Sequence, residues 1–487
     1  MKKTLFLLPV LPILLFLSAC EENPLTLLPP DGQVKQEYWK HKEDVKATLM
    51  GAYRQLAQLD GDLFYYGELR ADMLKDDDAL SGDRRNMMFS TLYPDNSHAR
   101  WGDFYKVINY CNSILKYSKQ VKKSDRTFTD FKYQAYRSEA IFLRSLTYFY
   151  LVRIYRDVPF ILFPYDTDDQ NFFPKKTQGD VVLDSLEAQL NRIIPTIPES
   201  YETNDQTRGR ATRGAVYALL TDIALWKFEY QDCIEYANYF ENNDLYELVP
   251  GGSYFTIFSE GNTLEGIFEL QFDPQNGLGN SLFGITIPSR DDFLASEYAM
   301  DILAPEFTKE IVRGNAALRE EDQEIWKYVG SSADGISLRS GSNAQACNWI
   351  VYRLAGVMLM KAEALSQVGR YGEALNIVNE IRTRAFMERV GAQQTANAFE
   401  DLIMEERAKE FAYEGKRWFD LLRMGRRDNF ERKDKLIQLI IENVPATQKR
   451  VLASKLTDPY GWYMPIHEDE IEENPNLVQN PYYQIYE

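Results

Sequence analysis

The chain has 487 residues, 45% of them hydrophobic and 13% aromatic, with 73 acidic against 55 basic side chains and a formal net charge of −18. That hydrophobic share is ample for a folded core, and the length suits one large domain or two intimately joined ones. The acidic balance argues against nucleic acid and anionic lipid as partners, because a phosphate-binding surface needs clustered Lys and Arg.

In chain order, Lys2 and Lys3 precede an apolar run from Leu5 to Leu17 and then Leu17-Ser18-Ala19-Cys20. A basic start, a short apolar stretch and small residues before a cut are the parts of a secretory signal, and the run is too short for a permanent membrane span. The tetrad resembles a bacterial lipobox. Residues 1–19 then form the signal peptide, and Cys20 is an acylated anchor rather than a ligand or nucleophile. Two or three acyl chains, at about 0.8 kcal/mol per buried methylene, hold a protein on a membrane stably. Residues 20–40, with Pro24, Pro29, Pro30 and Gly32, read as a lipidated tether.

Helical periodicity follows over roughly Glu43–Leu59, Trp101–Ser118, Phe131–Tyr155, Gly179–Ile193, Arg213–Lys227 and Tyr230–Phe240. The third of these is apolar over much of its circumference and belongs in the core. Leu219–Phe240 and Met360–Ile381 match at an offset of 141 residues, each a helix, a short turn, then an aromatic and an acidic residue opening a second helix. This resembles the tetratricopeptide pattern, although two unrelated hairpins with generic packing preferences read much the same. Between them, residues 245–348 are broken by Gly and Pro and rich in aromatics, with Phe268–Phe272 as a short strand. Long irregular segments of this kind are commonly functional.

Cys111, Cys233 and Cys347 sit at unrelated spacings and read as buried free thiols. His41, His98 and His467 show no zinc-site spacing. Neither a metal nor a cofactor is expected.

Several phrases coincide with one family. Trp101 to Asn112 resembles its W-x-x-x-Y-x-x-I-x-x-x-N segment, and Glu139 to Phe149 with Asp157-Val158-Pro159 resembles E-A-x-F-L-R-A-x-x-Y-F…G-D-V-P. Glu406 to Leu421 resembles E-R-x-x-E-F-x-x-E-G-x-R-x-x-D-L, and Asn474 to Pro481 the terminal N-P-x-L-x-Q-N-P. The family is SusD/RagB, the nutrient-binding lipoproteins of outer-membrane uptake systems. Departures are Arg156 in place of a glycine, His467 in place of a proline and Tyr482 in place of a final glycine.

The resemblance implies a mainly α fold of irregular tetratricopeptide-like helical pairs with a loop-rich inserted subdomain. Together with the change in composition over 245–348, it reads 41–487 as a single domain with scaffold 41–244 and 349–487 and insert 245–348. It also implies a TonB-dependent outer-membrane transporter (SusC-like) as partner, over which the lipoprotein sits as a lid, and export to the cell surface signalled by Glu21 and Glu22.

For chemistry, Arg407, Glu410, Glu414 and Arg417 fall at helical spacing and invite a carboxylate-pair reading, as in glycoside hydrolysis; a salt-bridge ladder fits the same spacing better. Asp76-Asp77-Asp78 with Asp83 offers oxygens for calcium but lacks the glycine and distal glutamate of an EF-hand loop, and such acidic runs are usually solvated. No nucleophile elbow or phosphate loop is present, so no enzyme is expected. Sugar binding needs flat apolar faces and fixed polar groups. Two loop-like regions supply both, residues 65–101 and 280–328. The candidates are Tyr66, Arg70, Asp72, Trp101, Asn280, Arg290, Tyr298 and Trp326. The expected function is capture of an oligosaccharide, or else a peptide, for import; a surface glycosidase and an adhesive protein are the rivals from other classes.

Overall fold

The computed structural model describes residues 38–76, 80, 82–287, 293–393 and 395–486; the expected signal peptide, Cys20 and nearly all of the tether lie outside them. The fold is mainly α, with paired helices of the tetratricopeptide-like kind. The principal helices are α1 (Lys42–Ala57), α2 (Asp60–Glu68), α3 (Gly82–Met88), α4 (Gly102–Ser124), α5 (Asp130–Tyr155), α6 (Gly179–Ile193), α7 (Arg213–Trp226), α8 (Tyr230–Ala237), α9 (Leu354–Gln367), α10 (Tyr371–Arg384), α11 (Ala396–Glu410) and α12 (Arg417–Phe430). α4 packs between α1 and α5, and the chain of neighbours runs on through α6, α7, α8, α9 and α10. One continuous core reaches from Trp39 to Tyr483.

α5 is apolar nearly all round and its residues from Ser138 to Tyr155 are buried except Ile141, as its sequence leads one to expect. Its polar residues bond across to neighbours. Arg144 donates to Asn112 Oδ1 on α4 (2.6 Å) and to Gln189 Oε1 on α6 (2.6 Å), while Glu139 pairs with Arg210 (2.6 Å) and accepts from the Tyr53 hydroxyl (2.7 Å). The two sequence-matched pairs repeat the same turn. Glu229 N–H donates to Ala224 O (2.8 Å) and Arg370 N–H to Leu365 O (2.9 Å), with Phe228 and Gly369 both at positive φ, all at the 141-residue offset. Though far apart in sequence, these pairs touch in space through α8 and α9.

The 245–348 segment is less irregular than its composition suggests. β4 (Gly266–Leu270) pairs antiparallel with β8 (Trp349–Arg353). A small sheet in the order β1-β5-β7-β6 joins β1 (Leu74–Asp76), β5 (Phe293–Ala295), β7 (Glu324–Ile325) and β6 (Leu318–Arg319). β2 (Val158–Pro159) and β3 (Lys176–Thr177) form a short ribbon.

The C-terminal charged stripe is not one helix. α11 ends at Glu410 and α12 starts at Arg417, with Tyr413 (φ 63°) and Gly415 (φ 67°) in the left-handed region between. Here the backbones of α2 and the turn meet: a Cβ on Gly67 would lie 2.0 Å from Gly415 O, so both positions need glycine. The four charges bond to other elements rather than to each other. Arg407 pairs with Asp420 (2.8 Å), Arg417 with Asp72 (2.6 Å), and Glu410 and Glu414 both with Arg353 (2.5 and 2.9 Å). Burial pushes the Glu410 carboxyl up, but Arg384, Arg353 and Arg313 outweigh it and hold it at about 2. A carboxylate held there carries no proton at neutral pH to give as a general acid.

Glu68 is the opposite case. Burial pushes its carboxyl up to about 8, against hydrogen bonds from the Gly415 and Lys416 N–H groups (2.7 and 3.2 Å), and its Oε2 lies buried without a partner.

Two stability predictions follow from these buried charges. Asp72→Asn strips the bidentate partner of Arg417 and should cost about 3–5 kcal/mol, read by urea unfolding. The folded protein holds the Glu68 proton more tightly than the unfolded chain does, so this group's contribution falls as pH rises from about 4.5 to about 8. Glu68→Gln should therefore gain on the parent by at least about 1 kcal/mol between pH 5 and pH 8.5, and equal pH slopes for the two proteins would refute it.

Candidate ligand-binding surface

The two regions singled out in the sequence meet in space. β1 pairs with β5 in the register Leu74↔Ala295 and Asp76↔Phe293. Ser296 donates from N to Met73 O (3.0 Å) and from Oγ to Asp72 O (2.6 Å). Asp60, at the start of α2, accepts from Ser281 N (2.6 Å) and Ser281 Oγ (2.9 Å); burial nevertheless pushes its carboxyl up to about 6. Asp83 on α3 accepts from Ser97 N (2.9 Å) and Oγ (2.6 Å), which fixes the turn at 97–99 beside α2.

On this junction the outward groups are Tyr65, Asp62, His98 and Arg84. The Tyr65 ring stands edge-on to His98 (5.0 Å between centroids) and tilted to Phe293 (6.3 Å). The Arg84 guanidinium lies 6.0 Å from the Tyr65 ring centre and 5.8 Å from that of Phe293. His98 Nδ1 and Asp62 Oδ1 are 3.0 Å apart, with the Asp62 side chain 38% exposed. The result is an aromatic surface flanked by a planar cation and by an oriented imidazole–carboxylate pair. Such a set can take the C–H face of a ring and hydrogen-bond its edge.

Most of the sequence candidates are buried. Tyr66 is buried and donates to His98 O. Arg70 is buried over the Trp418 ring (4.4 Å) and donates to the carbonyls of Trp462 (2.6 Å) and Gly461 (2.7 Å); burial lowers its guanidinium to about 10. Asp72 is fully buried against Arg417. Asn280 donates to Cys347 O (2.8 Å) and accepts from Phe283 N (3.1 Å). Trp326 is fully buried and its ring N–H donates to Ser332 O (2.6 Å). Tyr298 is half-buried, with the Arg417 guanidinium 5.6 Å from its ring centre. Arg290 lies outside the described residues. Trp101 is 3% exposed, packed edge-on against Tyr105 and Tyr155, and forms part of the wall of a separate cavity.

Burial of these side chains has a physical reason. Residues 65–72 read as a loop, but α2 runs to Glu68, and the helix turns Tyr65 outward while Tyr66 faces the core. Arg84 and the Asp62–His98 pair carry no local motif. A lone basic residue and a scattered histidine gave no signal.

The acidic groupings hold a basic partner, with Asp77 and Asp78 lying outside the described residues. Asp76 is paired with Arg85, and Asp184, Glu187 and Glu229 converge on Lys227 at 2.8 Å each. Cys111, Cys233 and Cys347 are buried free thiols; burial pushes Cys111 to about 12 and Cys347 to about 11. Among the described residues no helix is long and apolar enough to cross a membrane.

Comparisons with known proteins agree with this architecture. The sequence pattern of the SusD family matches residues 323–483, and that of a family described as "Starch-binding associating with outer membrane" matches residues 30–225. Two SusD-like proteins of Formosa agariphila are 24% and 23% identical to this chain; the alignments cover 85% and 96% of it and 89% and 96% of the relatives. Among solved structures, a SusD superfamily protein from Bacteroides vulgatus superposes with a TM-score of 0.74 at 20% identity, covering 91% of this chain and 100% of that one. The surface glycan-binding protein A of Bacteroides uniformis superposes at 0.73 with 22% identity over 91% of this chain and 100% of its own.

Burial sets one expectation for the tryptophans. Trp326→Ala should lower stability by about 3–5 kcal/mol in urea unfolding, with Trp326→Phe recovering most of it, as for a core side chain.

Proposed function

The chain belongs to the SusD/RagB family, and from that premise we propose that it is a non-catalytic nutrient-binding protein that captures an oligosaccharide at the α2–α3–β5 junction. The observation that carries this reading is the fixed platform of Tyr65, Arg84 and the Asp62–His98 pair, presented by elements that hydrogen bonds and strand pairing lock together. A half-buried Tyr contributes contact area with little conformational entropy to lose, and the charged groups at its edge supply donors and acceptors for hydroxyls. The name of the Bacteroides uniformis neighbour supports glycans over other ligands, and the family description supports a place at the outer membrane. In this reading the protein is anchored at the cell surface through acylated Cys20 and passes its ligand to a TonB-dependent transporter.

The test is titration calorimetry of the protein against a panel of oligosaccharides and a protein digest, with product analysis of every mixture. Saturable heat from a glycan without cleavage is expected. Tyr65→Ala should weaken that binding roughly tenfold or more, with Arg84→Ala also reduced and circular dichroism unchanged for both. Heat from the digest alone would shift the ligand to peptides. Cleavage would make the protein an enzyme, and full affinity in Tyr65→Ala would place the site elsewhere.

A further inference from the structure

A cavity of about 400 Å³ opens between the start of α4, the 159–174 segment and the short helix Glu468–Glu473. None of the residues of the junction described above lines it. Six rings surround it: Trp101, Tyr105, Phe163, Tyr165, Phe172 and Phe173. Phe163, Phe172 and Phe173 are 43%, 47% and 46% exposed, a cluster of aromatic surface that a folded chain ordinarily turns inward.

The exposure is built, not slack. Asn112 donates to the carbonyls of Ile161 (3.1 Å) and Phe163 (3.0 Å), Asn109 accepts from Tyr165 N (2.9 Å), and Tyr105 donates to Pro159 O (2.7 Å). From the other side Asn474 donates to Pro174 O (2.9 Å) and Asn476 to Phe173 O (2.8 Å). Tyr165 and Phe172 stack at 5.3 Å and 20°. The wall is therefore rigid before any ligand arrives.

The charge of the cavity is one-sided. Its ionisable groups able to carry charge near neutrality are the carboxyls of Glu470 and Glu473; no Lys, Arg or His lines it. Of the basic residues nearby, Arg100 pairs with Asp469 (2.5 Å), Lys106 with Asp103 (2.8 Å), and Arg144 bonds to Asn112 and Gln189. Among the described residues neither Glu470 nor Glu473 has an ion-pair partner. Burial pushes the Glu470 carboxyl up and Glu473 adds to the push, while Trp101, His467 and Arg100 oppose it. Aromatic faces and carboxylates without a direct ion-pair partner attract the same thing, positive charge on a weakly hydrated body.

We propose that this cavity is a second binding site, for an organic cation: an ammonium or guanidinium group carried on an apolar stem or ring. The rings take the stem and the diffuse charge, and Glu470 and Glu473 take the N–H donors. A neutral sugar would leave the two carboxylates unpaired. Two sources carry this chemistry, the side chain of lysine or arginine and the ring of an amino sugar.

The experiment is calorimetric titration of the protein with N-acetyl-lysine methylamide, N-acetyl-arginine methylamide and glucosamine. Each is set against a neutral isostere, N-acetyl-norleucine methylamide for the amino acids and N-acetylglucosamine for the sugar. At least one cation should bind saturably and weaken as salt is raised, with its isostere bound at least tenfold less well; which cation it is identifies the source. Glu470→Gln should weaken it roughly tenfold and Phe172→Ala, at an exposed position, by a similar factor. Tyr65→Ala should leave it unchanged, so that this site and the glycan site fail independently. Equal binding of cation and isostere, unchanged binding in both Glu470→Gln and Phe172→Ala, loss of binding in Tyr65→Ala, or no binding by any cation would overturn the proposal.

Discussion

The structure depends on a buried cluster of charge centred on Arg353. Its guanidinium, at the end of β8 and fully enclosed, donates to Glu265 Oε1 (2.6 Å), Glu410 Oε1 (2.5 Å), Glu410 O (2.6 Å) and both oxygens of Glu414 (2.9 and 3.1 Å). Around this centre Glu410 also meets Arg384 and Arg313, and Glu414 meets Lys327 (3.0 Å). Each group would be costly alone in the interior, so the cluster is stable when every contributing element is in place. Those elements come from residues 265, 313, 327, 353, 384 and 410–416. The cluster therefore closes the chain on itself: it ties the inserted segment to the C-terminal helices, and through Glu68, Gly67 and Gly415 it seats α2, whose outer side carries the candidate site.

This explains what the sequence made legible and what it hid. Helices whose apolar face or full circumference is unambiguous, such as α5 and α6, begin and end within a residue of where periodicity puts them. The 141-residue repeat was readable because its turn is local: a positive-φ residue closes each first helix, and Phe228 does by strain what Gly369 does freely. Arg156 shows the same substitution. It stands where the family has glycine and still adopts φ 68°, with its guanidinium over Tyr460. By contrast, the break between α11 and α12 packs against α2, more than three hundred residues away in sequence, and Gly415 is the one local sign of it.

For the candidate site the sequence singled out two regions that do meet in space, but it did not tell their buried side chains from their outward ones. Tyr, Trp, Arg and Asp are the side chains that bind sugars, and also those that build buried ion pairs and aromatic packing. Composition cannot separate the two uses; the phase of a helix can. Tyr65 and Tyr66 differ by one position and about 100° on α2, and that rotation separates an outward ring from one wedged against Phe104. Arg70 and Asp72 went inward because Trp418, Trp462 and Arg417 lie there, contacts of very long sequence separation. His98 gained its role from Asp62, thirty-six residues earlier.

Both aromatic surfaces of the molecule are held by the same device, side-chain amides, hydroxyls and carboxylates bonded to backbone that is not in a regular element. Asn112, Asn474 and Asn476 hold the 159–174 segment; Asp60, Asp83 and Ser296 hold the junction of α2, α3 and β5. A loop fixed in this way loses little conformational freedom when a ligand lands on it, so more of the contact energy appears as affinity. The requirement gives a physical role to residues of the matched motifs. Asn112 and Arg144 are bonded to each other, and their work is to aim the segment that carries Phe163 and Tyr165. In this chain such residues form a scaffold that orients the surface side chains, and these differ in charge between the two surfaces: Arg84 beside Asp62 and His98 at one, carboxylates alone at the other. A single chain can in that way present two rigid aromatic faces to chemically different groups.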